Sequence, residues 1–163
     1  MKKKIFSTLV YLMMFVVIYG AVNWYRAPTL PNTANLTYAN EHNQLIDVIA
    51  VSHQQPILVY FWGTWCSICS LTSPNIQALH ADGQPVVSVA VKSDSTEALG
   101  RYMTMHGYDF IAINDLGGEI FHAWQGKVTP SFVILKDGKI HQSFTGIAPL
   151  WSLKLRLWAA SLV

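Results

Sequence analysis

The sequence predicts an α/β sandwich built on a mixed central sheet, and three observations predict it. Pro56-Ile57-Leu58-Val59-Tyr60-Phe61-Trp62 is a short, continuous apolar run of the kind that forms a strand buried on both faces. From there to the end of the chain, apolar runs alternate with segments of helical spacing, which gives strands separated by covering helices. Phe132-Val133-Ile134-Leu135 and the run from Ile140 to Thr145 flank Asp137-Gly138, a tight-turn signal, so the sheet finishes in an antiparallel hairpin.

The first element stands apart from this sandwich. Lys2-Lys3-Lys4 precedes an almost uninterrupted apolar stretch from Ile5 to Val22, about the length that spans a bilayer, and Trp24-Tyr25-Arg26 falls where interfacial aromatic residues belong. A cleaved signal peptide is the competing reading. Gly20-Ala21-Val22 offers no clean A-x-A cleavage pattern and the apolar run exceeds a usual signal core, so a retained anchor is expected over residues 1–26. The basic start places the N-terminus in the cytoplasm and the rest outside it, where disulfides persist. The expected location is therefore the inner membrane, single-pass, with a periplasmic domain.

Residues 27–40 are rich in Pro, Asn and Thr without periodicity and read as a linker or an ill-defined leading strand. Residues 41–163 form the expected domain. Leu45, Ile46, Ile49 and Ala50 predict an amphipathic helix over 41–53 that leads into the apolar strand. A helix then runs from about Cys66 to Ala81, with Ile76 and Leu79 inward and Pro74 interrupting its hydrogen bonds, and Asp82-Gly83 ends it. Pro85 to Val91 is a second strand, Ser95 to His106 a helix, Phe110 to Ile113 a short strand and Glu119 to Gln125 a short helix. The hairpin follows. The last helix, Leu150 to Val163, carries Trp151, Leu155, Trp158 and Leu162 on one face and Leu153 nearly opposite, and is expected to pack on the sheet.

Charge supports this division. Of 11 Lys plus Arg, four (Lys2, Lys3, Lys4, Arg26) belong to the anchor, leaving 7 against 9 Asp plus Glu, a net of −2 for the remainder. A domain of that balance lacks the clustered basic face that nucleic-acid binding needs.

Cys66 and Cys69 are the only cysteines, three positions apart within Trp62-Gly63-Thr64-Trp65-Cys66-Ser67-Ile68-Cys69. At i and i+3 of a helix, Cβ atoms lie roughly 5 to 6 Å apart, close enough for a disulfide after slight adjustment. If Gly63-Thr64 breaks the strand and Cys66 opens a helix, its sulfur meets unpaired backbone N–H groups and the positive end of the helix dipole, which favour thiolate. Cys66 is then the nucleophile and Cys69, one turn further in, the resolving thiol. A permanent disulfide or half a metal site is the bland reading. A structural zinc needs four ligands, and the six histidines are scattered without a pairing motif; a bridge across three residues would constrain the unfolded chain little. Neither a metal nor a cofactor is expected.

These residues resemble the thioredoxin superfamily. Trp65-Cys66-Ser67-Ile68-Cys69 matches its W-C-x-x-C site, Pro74 its helix-kinking proline, Thr129-Pro130 its cis-proline loop, and Asp137-Gly138 with Gly146 the hairpin and the glycine after it. The additional strand and helix between Pro85 and Gln125 resemble the insertion of the TlpA and ResA type, membrane-tethered extracytoplasmic thiol oxidoreductases, as does Asn114-Asp115-Leu116-Gly117-Gly118-Glu119. Among them, the short anchored form resembles the suppressor of copper sensitivity D proteins. Three departures stand out: Tyr60, Thr72 and Ser131 occupy positions where relatives carry a proton-handling carboxylate.

The resemblance implies dithiol–disulfide exchange with extracytoplasmic protein thiols or disulfides. Cys66 and Cys69 are the redox pair; Thr129 and cis-Pro130 receive the partner chain and Trp65 walls the sulfur. The family favours a reductase fed by a membrane electron donor of thiol-disulfide type. A disulfide-forming oxidase and a Cu(I)-binding protein using the two thiolates are the alternatives. Glu97, Asp94 and Glu119 are the acids that could fold back toward Cys69.

Overall fold

The computed structural model describes residues 2–31, 36–39 and 44–162, with side chains from residue 6 onward. In chain order its elements are α1 (Lys2–Arg26), β1 (Thr37–Ala39), β2 (Leu45–Asp47), α2 (Val48–Gln54), β3 (Ile57–Trp62), α3 (Ser67–Ala81), β4 (Val86–Val91), α4 (Thr96–His106), β5 (Ile111–Asp115), α5 (Glu119–Ala123), β6 (Ser131–Lys136), β7 (Lys139–Thr145) and α6 (Leu150–Ser161). The five-stranded sheet has the order β5-β4-β3-β6-β7. β3, β4 and β5 run parallel, β6 is antiparallel to β3, and β7 is antiparallel to β6 and so runs in the direction of β3. This is the mixed sheet expected, with the additional strand and helix in place.

Alternation along β3 divides the core. Leu58, Tyr60 and Trp62 face a cluster with Ile76 and Leu79 of α3, Leu99 and Met103 of α4, and Leu153, Leu157 and Ala160 of α6. Ile57, Val59 and Phe61 face a second cluster with Leu36, Val48 of α2 and Trp124 after α5. All six residues of β3 and all six of β4 are buried, as their uninterrupted apolar character requires.

The helix expected over 41–53 is corrected. Residues 41–43 lie outside the described residues; Leu45 and Ile46 belong to β2, which pairs antiparallel with β1, and the helix starts at Val48. The Asp47 carboxylate sets that start by accepting from the Ala50 amide at 3.0 Å. The apolar positions that looked helical are thus divided between a strand and a helix. The stretch read as a linker also packs: Leu36 is buried in the second cluster and the Thr29 amide donates to the Trp124 carbonyl at 2.8 Å.

α6 lies on the sheet, but on a different face from the one its tryptophans mark. Leu153, Leu157 and Ala160 are buried, and the Arg156 guanidinium sits over the Phe144 ring at 4.3 Å. Trp151, Leu155, Trp158 and Leu162 are exposed. The cluster that α6 covers already holds the stacked rings of Tyr60, Phe132 and Phe144, and Leu153, Leu157 and Ala160 complete it.

This sidedness has a direct consequence for stability. Leu153→Ala should cost about 2 to 5 kcal/mol, while Trp158→Ala on the same helix should stay within about 0.5 kcal/mol. Chemical denaturation of the detergent-solubilised protein checks both; a larger loss for Trp158→Ala would mean that the helix is seated the other way round.

Candidate active site

β3 ends at Trp62 and α3 begins at Ser67, so four residues carry the chain out of the sheet and into a helix N-terminus. Cys66 is the N-cap. Its sulfur accepts from the Cys69 amide at 3.2 Å, an amide of the first helical turn that also donates to the Cys66 carbonyl at 2.9 Å. Cys66 and Cys69 form a disulfide with Cα atoms 5.2 Å apart. Cys66 is 8% exposed and Cys69 1%, the order expected of an attacking and a resolving thiol.

The loop before Cys66 is pinned to the end of β4. The Thr64 amide donates to Ser93 Oγ at 3.1 Å, and Ser93 Oγ donates to the Val91 carbonyl. That carbonyl also accepts from Trp65 Nε1 at 2.9 Å, so the indole, though mostly exposed, is held in one place beside the disulfide. Gly63 makes room for it: a Cβ there would lie 2.7 Å from the indole.

The Thr129-Pro130 peptide is cis, and Pro130 is buried. Ser131 pairs with Phe61 across the sheet and Thr145 with Ser131, which brings this loop to the same end of the sheet as Cys66. The Gly146 amide donates to the Pro130 carbonyl at 3.0 Å, and Ser131 Oγ donates to the Val128 carbonyl. All five predicted site residues therefore stand at one end of the molecule: Trp65, Cys66 and Cys69 from the β3–α3 junction, Thr129 and Pro130 from the entry to β6.

Beneath the pair the site is built of hydroxyls. Tyr60 Oη and Ser73 Oγ share a hydrogen bond of 3.0 Å, and Thr72 Oγ1 donates back to the Ile68 carbonyl. Burial, opposed only in part by Ser73, pushes the Tyr60 phenol well above its ordinary range, so it stays neutral. The acids that could have folded back are engaged elsewhere. Glu97 is fully exposed, and hydrogen bonds from its own backbone N–H and then from Ser95 hold its carboxyl low. Asp94 accepts from the Ser95 amide, Glu119 lies against Gly117, and Asp115 accepts from the Ile120 and Phe121 amides at the start of α5. Among the described residues no three His, Cys, Asp or Glu side chains stand together as a group that could hold a metal ion.

Sequence reasoning missed the serines that support the loop. Ser93 holds the loop itself, Ser73 meets Tyr60, and Ser88 accepts from Trp62 Nε1 at 3.0 Å within the core. Ser88 gave a signal, a lone polar residue inside Val86-Val87-Ser88-Val89-Ala90-Val91, but its partner lies 26 positions away.

Comparison with known proteins agrees with this geometry. The model of the AhpC/TSA family matches residues 29–143. A thioredoxin-like protein of Haemophilus influenzae is 36% identical over 160 residues, covering 98% of this chain and 96% of that one. The thiol-disulfide oxidoreductase ResA of Bacillus thuringiensis is 32% identical over 94 residues, 55% of this chain and 54% of its own length, so the matched part is about half of each protein. A secreted disulfide oxidoreductase of Mycobacterium tuberculosis superposes with a TM-score of 0.65 at 20% identity, over 77% of this chain and 96% of that one, which shows a shared thioredoxin-like fold.

Two measurements follow from the site. In the reduced protein at neutral pH, iodoacetamide should modify Cys66 well before Cys69, read by peptide mass spectrometry; equal rates would contradict the N-cap assignment. Tyr60 is a group whose folded pKa is raised, so its contribution to stability is complete below the unfolded value of about 10 and is lost as pH rises beyond it. Tyr60→Phe should remove that part of the alkaline loss and change the rate of disulfide exchange little across about pH 6 to 9. A missing ionisation in the variant's rate profile within that range would make Tyr60 a proton carrier instead.

Proposed function

This chain belongs to the AhpC/TSA family within the thioredoxin-like superfamily, and from that premise we propose that it is a membrane-tethered, extracytoplasmic thiol-disulfide oxidoreductase that reduces partner disulfides. The observation that carries the reading is the Cys66–Cys69 disulfide on the N-terminal turn of α3, with the Cys66 sulfur taking an amide N–H of that turn. The same donor that caps the helix stabilises a thiolate when the bond is open.

The reaction runs in two exchanges. Cys66 thiolate attacks one sulfur of the partner disulfide; a mixed disulfide forms and the partner's other sulfur leaves as thiolate. Cys69 thiolate then attacks the Cys66 sulfur, closing the intramolecular bond and releasing the second partner thiolate. The partner gains two electrons and, at neutral pH, two protons; a dithiol donor must reopen Cys66–Cys69 for another cycle. Trp65 walls the sulfur, and the extended backbone at Thr129 and Pro130 receives the partner in strand fashion. With Tyr60, Thr72 and Ser131 where an acid could stand, water or the departing thiolate takes the proton of Cys69.

The tether is α1. Its span Phe6–Arg26 is apolar, and none of its most apolar window is buried against the domain, so lipid is the cover its surface asks for. A membrane dithiol donor suits an enzyme held there, because the periplasm is otherwise kept oxidising. Copper tolerance is the physiological setting that the Trp62-Gly63-Thr64-Trp65-Cys66 site and the short anchored form suggest.

Expression of Cys69→Ala in cells is the test. It should accumulate a mixed disulfide between Cys66 and its partner, visible as a heavier species on non-reducing gels that collapses on reduction; the partner is then identified by mass spectrometry. If the additional Cys66→Ser change leaves that species intact, exchange at Cys66 is not what joins the two.

A further inference from the structure

The end of α1 is bonded to the redox end of the sheet. Asn23 Oδ1 accepts from both the amide and the hydroxyl of Thr145, at 3.0 and 2.9 Å. Lys127 Nζ donates to the Tyr25 carbonyl at 2.7 Å and lies 3.4 Å over the Tyr25 ring. Ser143 Oγ donates to the Pro28 carbonyl at 2.7 Å, and Thr29 is bonded to Trp124. Only Ala27 separates the last helical residue from the first residue buried on the domain, so no flexible stalk lies between the span and the sandwich.

Where these bonds fall on the sheet decides their meaning. Thr145 is the last residue of β7 and pairs with Ser131, whose other neighbour is Phe61, near the exit from β3 to Cys66. From β7 to β3 is two strand spacings, about 10 Å. The turns at Asp137-Gly138 and Asp82-Gly83 lie at the opposite end. Trp24 and Tyr25, next to Asn23, are exposed aromatic residues at the height where a spanning helix meets the headgroups. Trp65, Ile68 and Ile147 add exposed apolar surface at the same end.

We propose that Asn23 is a positioning residue that clamps the domain on its anchor with the Cys66–Cys69 end turned toward the bilayer, so that the site serves cysteine pairs carried at the membrane surface by membrane-embedded or membrane-bound proteins. This rests on the tethered reading above. Two accepted hydrogen bonds at the helix end fix the swing of the domain, and the lack of a stalk fixes its height. A freely diffusing partner must enter from the side, whereas a partner in the same membrane meets the site by lateral diffusion.

The test uses the full chain in nanodiscs of phosphatidylethanolamine and phosphatidylglycerol doped with a gadolinium-chelating lipid. Amide signals of Trp65, Ser131, Gly146 and Ile147 should broaden several-fold more than those of Gly83 and Gly138. Asn23→Ala should even out the two groups, and Asn23→Asp, which keeps the accepting oxygen, should restore the difference. In vesicles, Asn23→Ala should slow reduction of a disulfide peptide linked to a lipid headgroup several-fold and leave reduction of the same peptide free in solution unchanged. Even broadening in the unaltered chain, or stronger broadening at Gly83 and Gly138, overturns the orientation. Identical behaviour of Asn23→Ala and the unaltered chain overturns the role of Asn23. A mature chain whose mass begins beyond α1 overturns the tethered reading itself, and the clamp with it; retention of α1 with even broadening overturns the clamp alone.

Discussion

The rest of the molecule follows from a single constraint: β3 is apolar on both faces, and all six of its residues have to be removed from water. Such a strand needs a hydrogen-bonded neighbour on each flank, here β4 parallel and β6 antiparallel, and a layer of helix above and below. It also fixes where the chain can do chemistry. A strand enclosed in this way reaches solvent only at its ends, and at the exit from β3 the backbone must turn sharply enough to start α3 across the sheet. Gly63 to Trp65 make that turn, and Cys66 is the first residue with helical hydrogen bonding beyond it. The Cys66 sulfur is therefore placed by the core's own need for cover.

Much of this was written locally. The central strands are continuous apolar runs, the hairpin is announced by Asp137-Gly138, and the cysteine spacing lies beside a strand break; each is a signal within a few residues. The failures are of another kind. Leu45, Ile46, Ile49 and Ala50 carry helical spacing, yet Tyr38 claims Ile46 as a strand partner and Asp47 caps the helix late. In α6, which packs on the sheet as expected, apolar residues lie on more than one side, and the sequence alone does not say that Leu153, Leu157 and Ala160 are the ones buried. Both outcomes are decided by residues distant in the chain, and so is the pairing of Trp62 with Ser88.

The groups beneath the disulfide are hydroxyls, while the carboxylates discussed above stand at helix starts. Asp47 caps α2, the Asp115 carboxylate is spent on α5, and Glu97 is fully exposed at the start of α4. Below the disulfide, Tyr60, Thr72 and Ser73 satisfy one another or the backbone. A pocket of hydroxyls is less sensitive to its surroundings than one built on a buried carboxylate, because no ion has to be stabilised within it.

The bonds that join α1 to the domain also fall on the outer side of β7, the last strand of the sheet. An open strand edge offers unpaired amides and carbonyls to any similar edge nearby, and proteins held in a plane at high density meet one another edge-on far more often than proteins in solution. Here the Thr145 amide is taken by Asn23, and Ser143 is tied to the Pro28 segment lying alongside. The residues that lead from span to domain thus double as a guard rail. They occupy the Thr145 end of that edge and leave less of it open to pairing with another strand.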